Sequence, residues 1–126
     1  EEKMILAALD ESPQDVPWKL SRFNGPHLGK RWGVHCDIQR RRVEPAERPL
    51  PPFIINILIP RLRRLVPMAG CVPNEANAID YRRCSGHQLV SHVDDRQLSK
   101  EPIATLSLAG DCYMTFQNVK AKREKA

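Results

Sequence analysis

The stretch Ser91-His92-Val93-Asp94-Asp95, followed by Pro102-Ile103-Ala104-Thr105-Leu106-Ser107-Leu108-Ala109-Gly110, decides how the rest of the chain is read. Side chains alternate along extended backbone, so a His-x-Asp pair on a strand sends His92 and Asp94 to one face and turns Val93 into packing on the other. An imidazole and a carboxylate side by side make two thirds of the two-histidine, one-carboxylate set that holds Fe(II) on one face of an octahedron. The same pair is also a common hydrogen-bonded couple in a surface turn. The flanking pattern therefore has to choose between them.

Working outward, short alternating runs at residues 76–82, 88–93, 103–108 and 112–117 read as strands. Turns at Cys84-Ser85-Gly86, Ser99-Lys100-Glu101-Pro102 and Ala109-Gly110-Asp111 separate them. Upstream, Met4, Ile5, Ala8 and Leu9 recur at helical spacing and Asp10, Ser12 and Pro13 end the pattern, which predicts a short amphipathic helix over residues 2–9. Residues 18–23 and 32–38 read as strands of a hairpin, with turn signals at Asn24-Gly25-Pro26 and Gly29. Four prolines in residues 43–52 predict an extended connector that stays out of a sheet interior. A second helix then starts after Pro52 on Phe53, Ile54, Ile57, Leu58, Leu62 and Leu65, and Pro60 should kink or divide it; a strand over residues 53–59 is the alternative.

With 126 residues, 41% of them hydrophobic, the chain has room for one domain with a modest core. It begins at Glu1 without a basic segment leading into an apolar one, so neither an initiator nor a secretory signal is read, and the chain is expected to be a processed or excised piece. No run approaches the roughly 18 apolar residues of a membrane span, because Pro60, Arg61, Arg63 and Arg64 cut short the run at 53–59. Cys36, Cys71, Cys84 and Cys112 form no Cys-x-x-Cys pair and are expected to be reduced, mostly buried thiols of an intracellular protein, in the nucleus or cytoplasm. A zinc site on His35 and Cys36 is disfavoured because adjacent side chains on a strand diverge. Much of the net charge of +5 sits in a basic tail at residues 120–126, apart from the domain at 1–119. Within residues 19–42, Lys19, Arg22, Lys30, Arg31, Arg40, Arg41 and Arg42 face one acid, Asp37: a solvated basic face, or a surface for nucleic-acid phosphates.

The ordered series Trp32-Gly33-Val34-His35-Cys36, Pro49-Leu50-Pro51-Pro52, Pro73-Asn74 before a strand ending in Tyr81, Gly86, His92-Val93-Asp94-Asp95, residues 102–108 and Met114-Thr115-Phe116 resembles the AlkB-like family of Fe(II)- and 2-oxoglutarate-dependent dioxygenases over residues 18–117. The resemblance implies an α+β fold: a double-stranded β-helix, jelly-roll-like, with N-terminal helices packed on one side. It implies His92 and Asp94 as Fe(II) ligands, Tyr81 as a hydroxyl donor to the co-substrate 2-oxoglutarate, and Asp95 and Arg96 as groups reaching toward substrate. Oxidative demethylation of N-alkylated bases in DNA or RNA is the activity implied, with oxygenation of protein or lipid as another option. A base in a duplex would be flipped out to reach such a site, with residues 19–42 on the backbone and Trp18 or Trp32 as stacking surfaces or core residues.

The chain departs from the family at several places. Ile79 stands where a polar contact to 2-oxoglutarate is usual, and Val34 and Cys36 stand where aromatic residues are usual. The family's second metal histidine and its 2-oxoglutarate-binding arginine lie well downstream of His-x-Asp. Residues 95–126 contain no histidine, and their only arginines are Arg96 and Arg123. The barrel is therefore expected to be partial and the chain inactive alone, or else to act as a non-catalytic binding module.

Overall fold

The computed structural model describes residues 1–11, 16–100, 102–118 and 120. It is an α+β arrangement: an N-terminal helix, α1 (Glu2–Glu11), and an antiparallel four-stranded sheet built on one long strand, with further helical turns between its third and fourth strands. That strand is β2 (His27–Asp37), which pairs with β1 (Lys19–Ser21), β3 (Arg42–Pro45) and β4 (Glu75–Asp80). Alternation along β2 follows the pleat. Lys30 and Trp32 are buried and Arg31 between them is exposed.

The register places Lys30 opposite Ala78 and Trp32 opposite Ala76, so one sheet face carries the indole flanked by small side chains. Trp32 is 1% exposed and packs with Val16 and Ile54; Leu9, Leu50, Phe53, Leu58, Ile59, Ala76 and Ala78 close around them. Both helical segments therefore cover the same face of the sheet. The Phe53 ring meets Trp32 edge-on, 6.3 Å between centroids and at 89°, a favourable aromatic geometry. In α1, Ile5 and Leu9 turn inward while Met4 remains exposed.

Gly33 is the pivot of β2. Before it the strand pairs with β4; after it, Val34 opposes Pro45 in β3. Its φ of +84° lies in the left-handed region, and a Cβ there would fall 2.0 Å from the carbonyl oxygen of Asn74. Only glycine permits both the dihedral and that approach.

Several expectations are corrected. The hairpin partner of β1 begins at His27, so Gly29 lies within the strand rather than in a turn, and residues 32–37 pair with β4 and β3. The proline-rich connector contributes β3, because Pro45 closes the strand at its end, where its missing N–H is tolerated. The second helix is not broken at Pro60. Residues 54–58 widen into a π-helical turn, with the Ile59 N–H donating to the Ile54 carbonyl five residues back, and α2 (Ile59–Leu62) continues from it. The wide turn takes up the backbone around a residue that has no N–H to give.

The larger correction concerns the second half. Residues 88–93, 103–108 and 112–117 run without helix or ladder, so the strands expected there are not formed and a double-stranded β-helix is not assembled among the described residues. A strand exists only against a partner, and these segments have none that completes a ladder. Ile103, Leu106, Tyr113, Met114 and Phe116 are consequently exposed. The thiols are also less buried than expected: Cys36 and Cys71 are half-buried and Cys84 and Cys112 exposed, the last two lying in a surface turn and in an uncovered segment. No described helix is long and apolar enough to cross a membrane. The basic tail, apart from Lys120, lies outside the described residues, as do Ser12 and Pro13 after α1 and Glu101 in the turn before Pro102.

Candidate functional site

The β1–β2 turn, residues 22–26, positions the His-x-Asp segment. Asn24 and Gly25 take positive φ values there. The Gln88 N–H donates to the Pro26 carbonyl at 3.1 Å and the Val90 N–H to the Asn24 carbonyl at 2.7 Å. Donors two residues apart meeting acceptors two residues apart is an extended-strand spacing. It lays residues 88–90 along the turn and delivers His92 beside it. The approach is close enough that a Cβ on Gly25 would fall 2.2 Å from the Gln88 carbonyl oxygen.

His92 and Asp94 point to one side: Nε2 lies 3.1 Å from Asp94 Oδ1. The imidazole Nδ1 lies 2.7 Å from the Val90 carbonyl oxygen. A carbonyl can only accept, so Nδ1 carries a proton, and in a neutral ring Nε2 then holds the lone pair. That lone pair faces a carboxylate oxygen, an arrangement open to a proton shared between the two atoms or to a cation held by both. A histidine that gives its other N–H to a backbone carbonyl has the tautomer of a metal ligand. Side-chain exposure is 26% for His92 and 67% for Asp94. Val93, expected to pack inward, is 68% exposed, because nothing has been laid over that face of the segment.

The pair opens onto a shallow hollow of about 170 Å³ lined by Phe23, Asn24, Ile38, His92, Val93, Asp94 and Asp95. Asp95 is engaged in local structure. Its carboxylate accepts the N–H groups of Leu98 and Gln97 at 2.8 and 2.9 Å and pairs with Arg41 at 2.6 Å. Those N–H bonds, Leu98 first, and the guanidinium hold its carboxyl below the usual aspartate range. Arg96 is exposed beside it. Tyr81 follows β4 and does not line this hollow; its ring lies tilted against His27 at 5.6 Å, and burial pushes its phenol up. Among the described residues no group of three or more His, Cys, Asp or Glu side chains is placed to hold a metal ion.

The tryptophans are occupied elsewhere. Trp32 is core. Trp18 covers the Lys30 ammonium at 4.9 Å and gives its indole N–H to Asp10 at 3.2 Å. The aromatic side chain that does line the hollow is Phe23, 56% exposed. Sequence reading passed over it; its place directly before Asn24-Gly25 is the signal, since a large apolar residue at a turn has little to pack against. The basic stretch at 19–42 is largely paired: Lys19 with Glu47, Arg40 with Asp37, Arg41 with Asp95, Arg42 with Glu44, and Arg31 with His35 and Asn77. In comparisons with protein-family models, curated proteins and solved structures, no match to this chain was found.

Proposed function

We propose that the chain is part of an Fe(II)- and 2-oxoglutarate-dependent oxygenase of the AlkB type, acting on N-alkylated nucleic-acid bases, whose complete fold is a double-stranded β-helix. The observation that supports this best is the His92–Asp94 contact, in which a lone pair and a carboxylate oxygen converge at 3.1 Å with the other imidazole nitrogen committed to a carbonyl. In this reading His92 Nε2 and Asp94 Oδ1 are two of the protein ligands, and the Val90 carbonyl fixes the tautomer. Fe(II) with 2-oxoglutarate would supply oxidative hydroxylation of a C–H bond, which on an N-methyl group leads to loss of formaldehyde. Phe23 offers a flat face to a base entering the hollow, a stacking role for which Trp18 and Trp32, expected to be either stacking surfaces or core residues, are not placed. In this reading Tyr81, whose ring lies against His27 outside the hollow, is the hydroxyl donor to the co-substrate carboxylate, and Arg96, exposed next to Asp95, is a group that reaches toward substrate.

A second reading has its own observation. Among the described residues only two ligands are at hand and Asp95 is engaged, which favours a non-catalytic module that binds without turnover.

The test is Mn(II) titration followed by electron paramagnetic resonance, Mn(II) standing in for Fe(II). Weak one-to-one binding by the chain, lost in His92→Ala and in Asp94→Ala, is the expected result; affinity unchanged in both variants overturns the metal site. Succinate release from 2-oxoglutarate by the 126 residues alone is expected to be absent. Release that disappears in His92→Ala would show that a third ligand completes the set and would eliminate the second reading.

A further inference from the structure

Among the described residues, the ion pairs that neutralise the basic stretch at 19–42 leave out Arg22, which stands exposed directly after β1. It lines a second hollow, of about 430 Å³, together with Leu20, Pro26, Ser85 and His87. The lining comes from two segments. One is the end of β1 and its turn; the other is the helical turn Arg83–Ser85, closed by Gly86 at a φ of +69°. The Gln88–Pro26 and Val90–Asn24 hydrogen bonds hold the two together.

Every polar side chain of the lining can donate. His87 Nδ1 accepts the Arg82 N–H at 3.0 Å, so in the neutral ring the proton sits on Nε2 and the imidazole offers an N–H rather than a lone pair. Ser85 adds a hydroxyl, and Arg22 the five-donor fork that matches phosphate geometry. Among the described residues, no carboxylate lines the hollow. A cation would find no anionic ligand there, whereas a phosphate would find a guanidinium, an imidazole N–H and a hydroxyl.

We propose that the hollow of Arg22, Ser85 and His87 binds a phosphate group, carried either by a single-stranded polynucleotide or by a small phosphate ester. Arg22 and Phe23 are consecutive and line different hollows, so a strand crossing the β1–β2 turn would set a phosphate on Arg22 while a base meets Phe23. This last step rests on the proposed function; the phosphate site does not.

Fluorescence anisotropy of a labelled single-stranded oligodeoxynucleotide, and phosphorus NMR line width of inorganic phosphate, test the site on the full chain and on Arg22→Gln, Ser85→Ala and the control Arg64→Gln. Arg64 lines neither hollow. Arg22→Gln should weaken oligonucleotide binding about tenfold and reduce the salt slope by about 0.7; Arg64→Gln should change affinity less than about twofold. Line broadening of inorganic phosphate that Arg22→Gln abolishes, with no Arg22-dependent oligonucleotide binding, assigns the site to a small phosphate ester. If neither ligand responds to Arg22→Gln or Ser85→Ala, or if Arg64→Gln weakens binding as much as Arg22→Gln, the proposal is overturned. Arg22→Gln should leave Mn(II) binding unchanged, because Arg22 does not line the hollow of His92 and Asp94, and this separates the phosphate site from the metal site.

Discussion

Lys30 shows how one side chain can work against its own pattern. Its position in β2, two residues before Trp32, places it on the core face, and the chain accommodates it by giving Nζ to the Leu9 carbonyl, where α1 ends, under the Trp18 ring. A cation suits a helix C-terminus, yet the dominant influence is desolvation, which lowers its pKa, with Asp10 opposing. The folded chain therefore holds fewer protons than the unfolded chain between the lowered value and the ordinary lysine value, and stability rises with pH across that window. We expect the urea midpoint of the wild type to rise relative to that of Lys30→Met as the pH is raised toward the ordinary lysine value of about 10.4. A constant difference between the two chains would remove Lys30 as the cause.

Elements in this molecule are joined at glycines. Gly33→Ala sets a side chain in the left-handed region and against the Asn74 carbonyl at the point where β2 changes partner, and should lower stability by about 1–3 kcal/mol in denaturant unfolding. Gly70→Ala, with open space around the added methyl, should change it by less than about 1 kcal/mol. Gly25→Ala is of a different kind. Its methyl would press on Gln88 and lift residues 88–90 from the turn, so hydrogen exchange at the Gln88 and Val90 amides should accelerate at least tenfold while Trp32 fluorescence stays native. Unchanged exchange at those two amides would show that the turn does not hold the His92 segment.

For the whole molecule, the governing fact is that a small core carries a long uncovered segment. Among the described residues, Ile5, Val16, Trp32, Ile54 and Met68 are buried hydrophobic side chains, while Ile103, Leu106, Tyr113, Met114 and Phe116 face solvent in backbone that no ladder pairs. Unpaired extended backbone with apolar side chains associates. Sedimentation velocity at micromolar concentration should find species heavier than the 14.4 kDa chain, and a Leu106→Lys, Phe116→Lys double variant should move the population toward monomer. A cooperative monomer in the wild type would mean that these residues find cover within the chain.

Local chemistry was legible in the amino-acid order. The turn at Asn24-Gly25, the helix after Pro52, a strand within the expected 76–82 (observed at Glu75–Asp80) and the shared side of His92 and Asp94 all follow from glycine, proline and side-chain alternation, which act over a few residues. Partnership was not. Alternation at 103–108 and 112–117 states a strand's preference but cannot supply the neighbour that satisfies it, and the basic stretch at 19–42 was neutralised by Glu44, Glu47 and Asp95 from outside its bounds. Phe23 and Arg22 acquired their positions for the same reason. Local sequence sets what each residue can do, but which residues meet depends on hydrogen bonds and burial between segments far apart in the chain, and those exist only once the chain is folded.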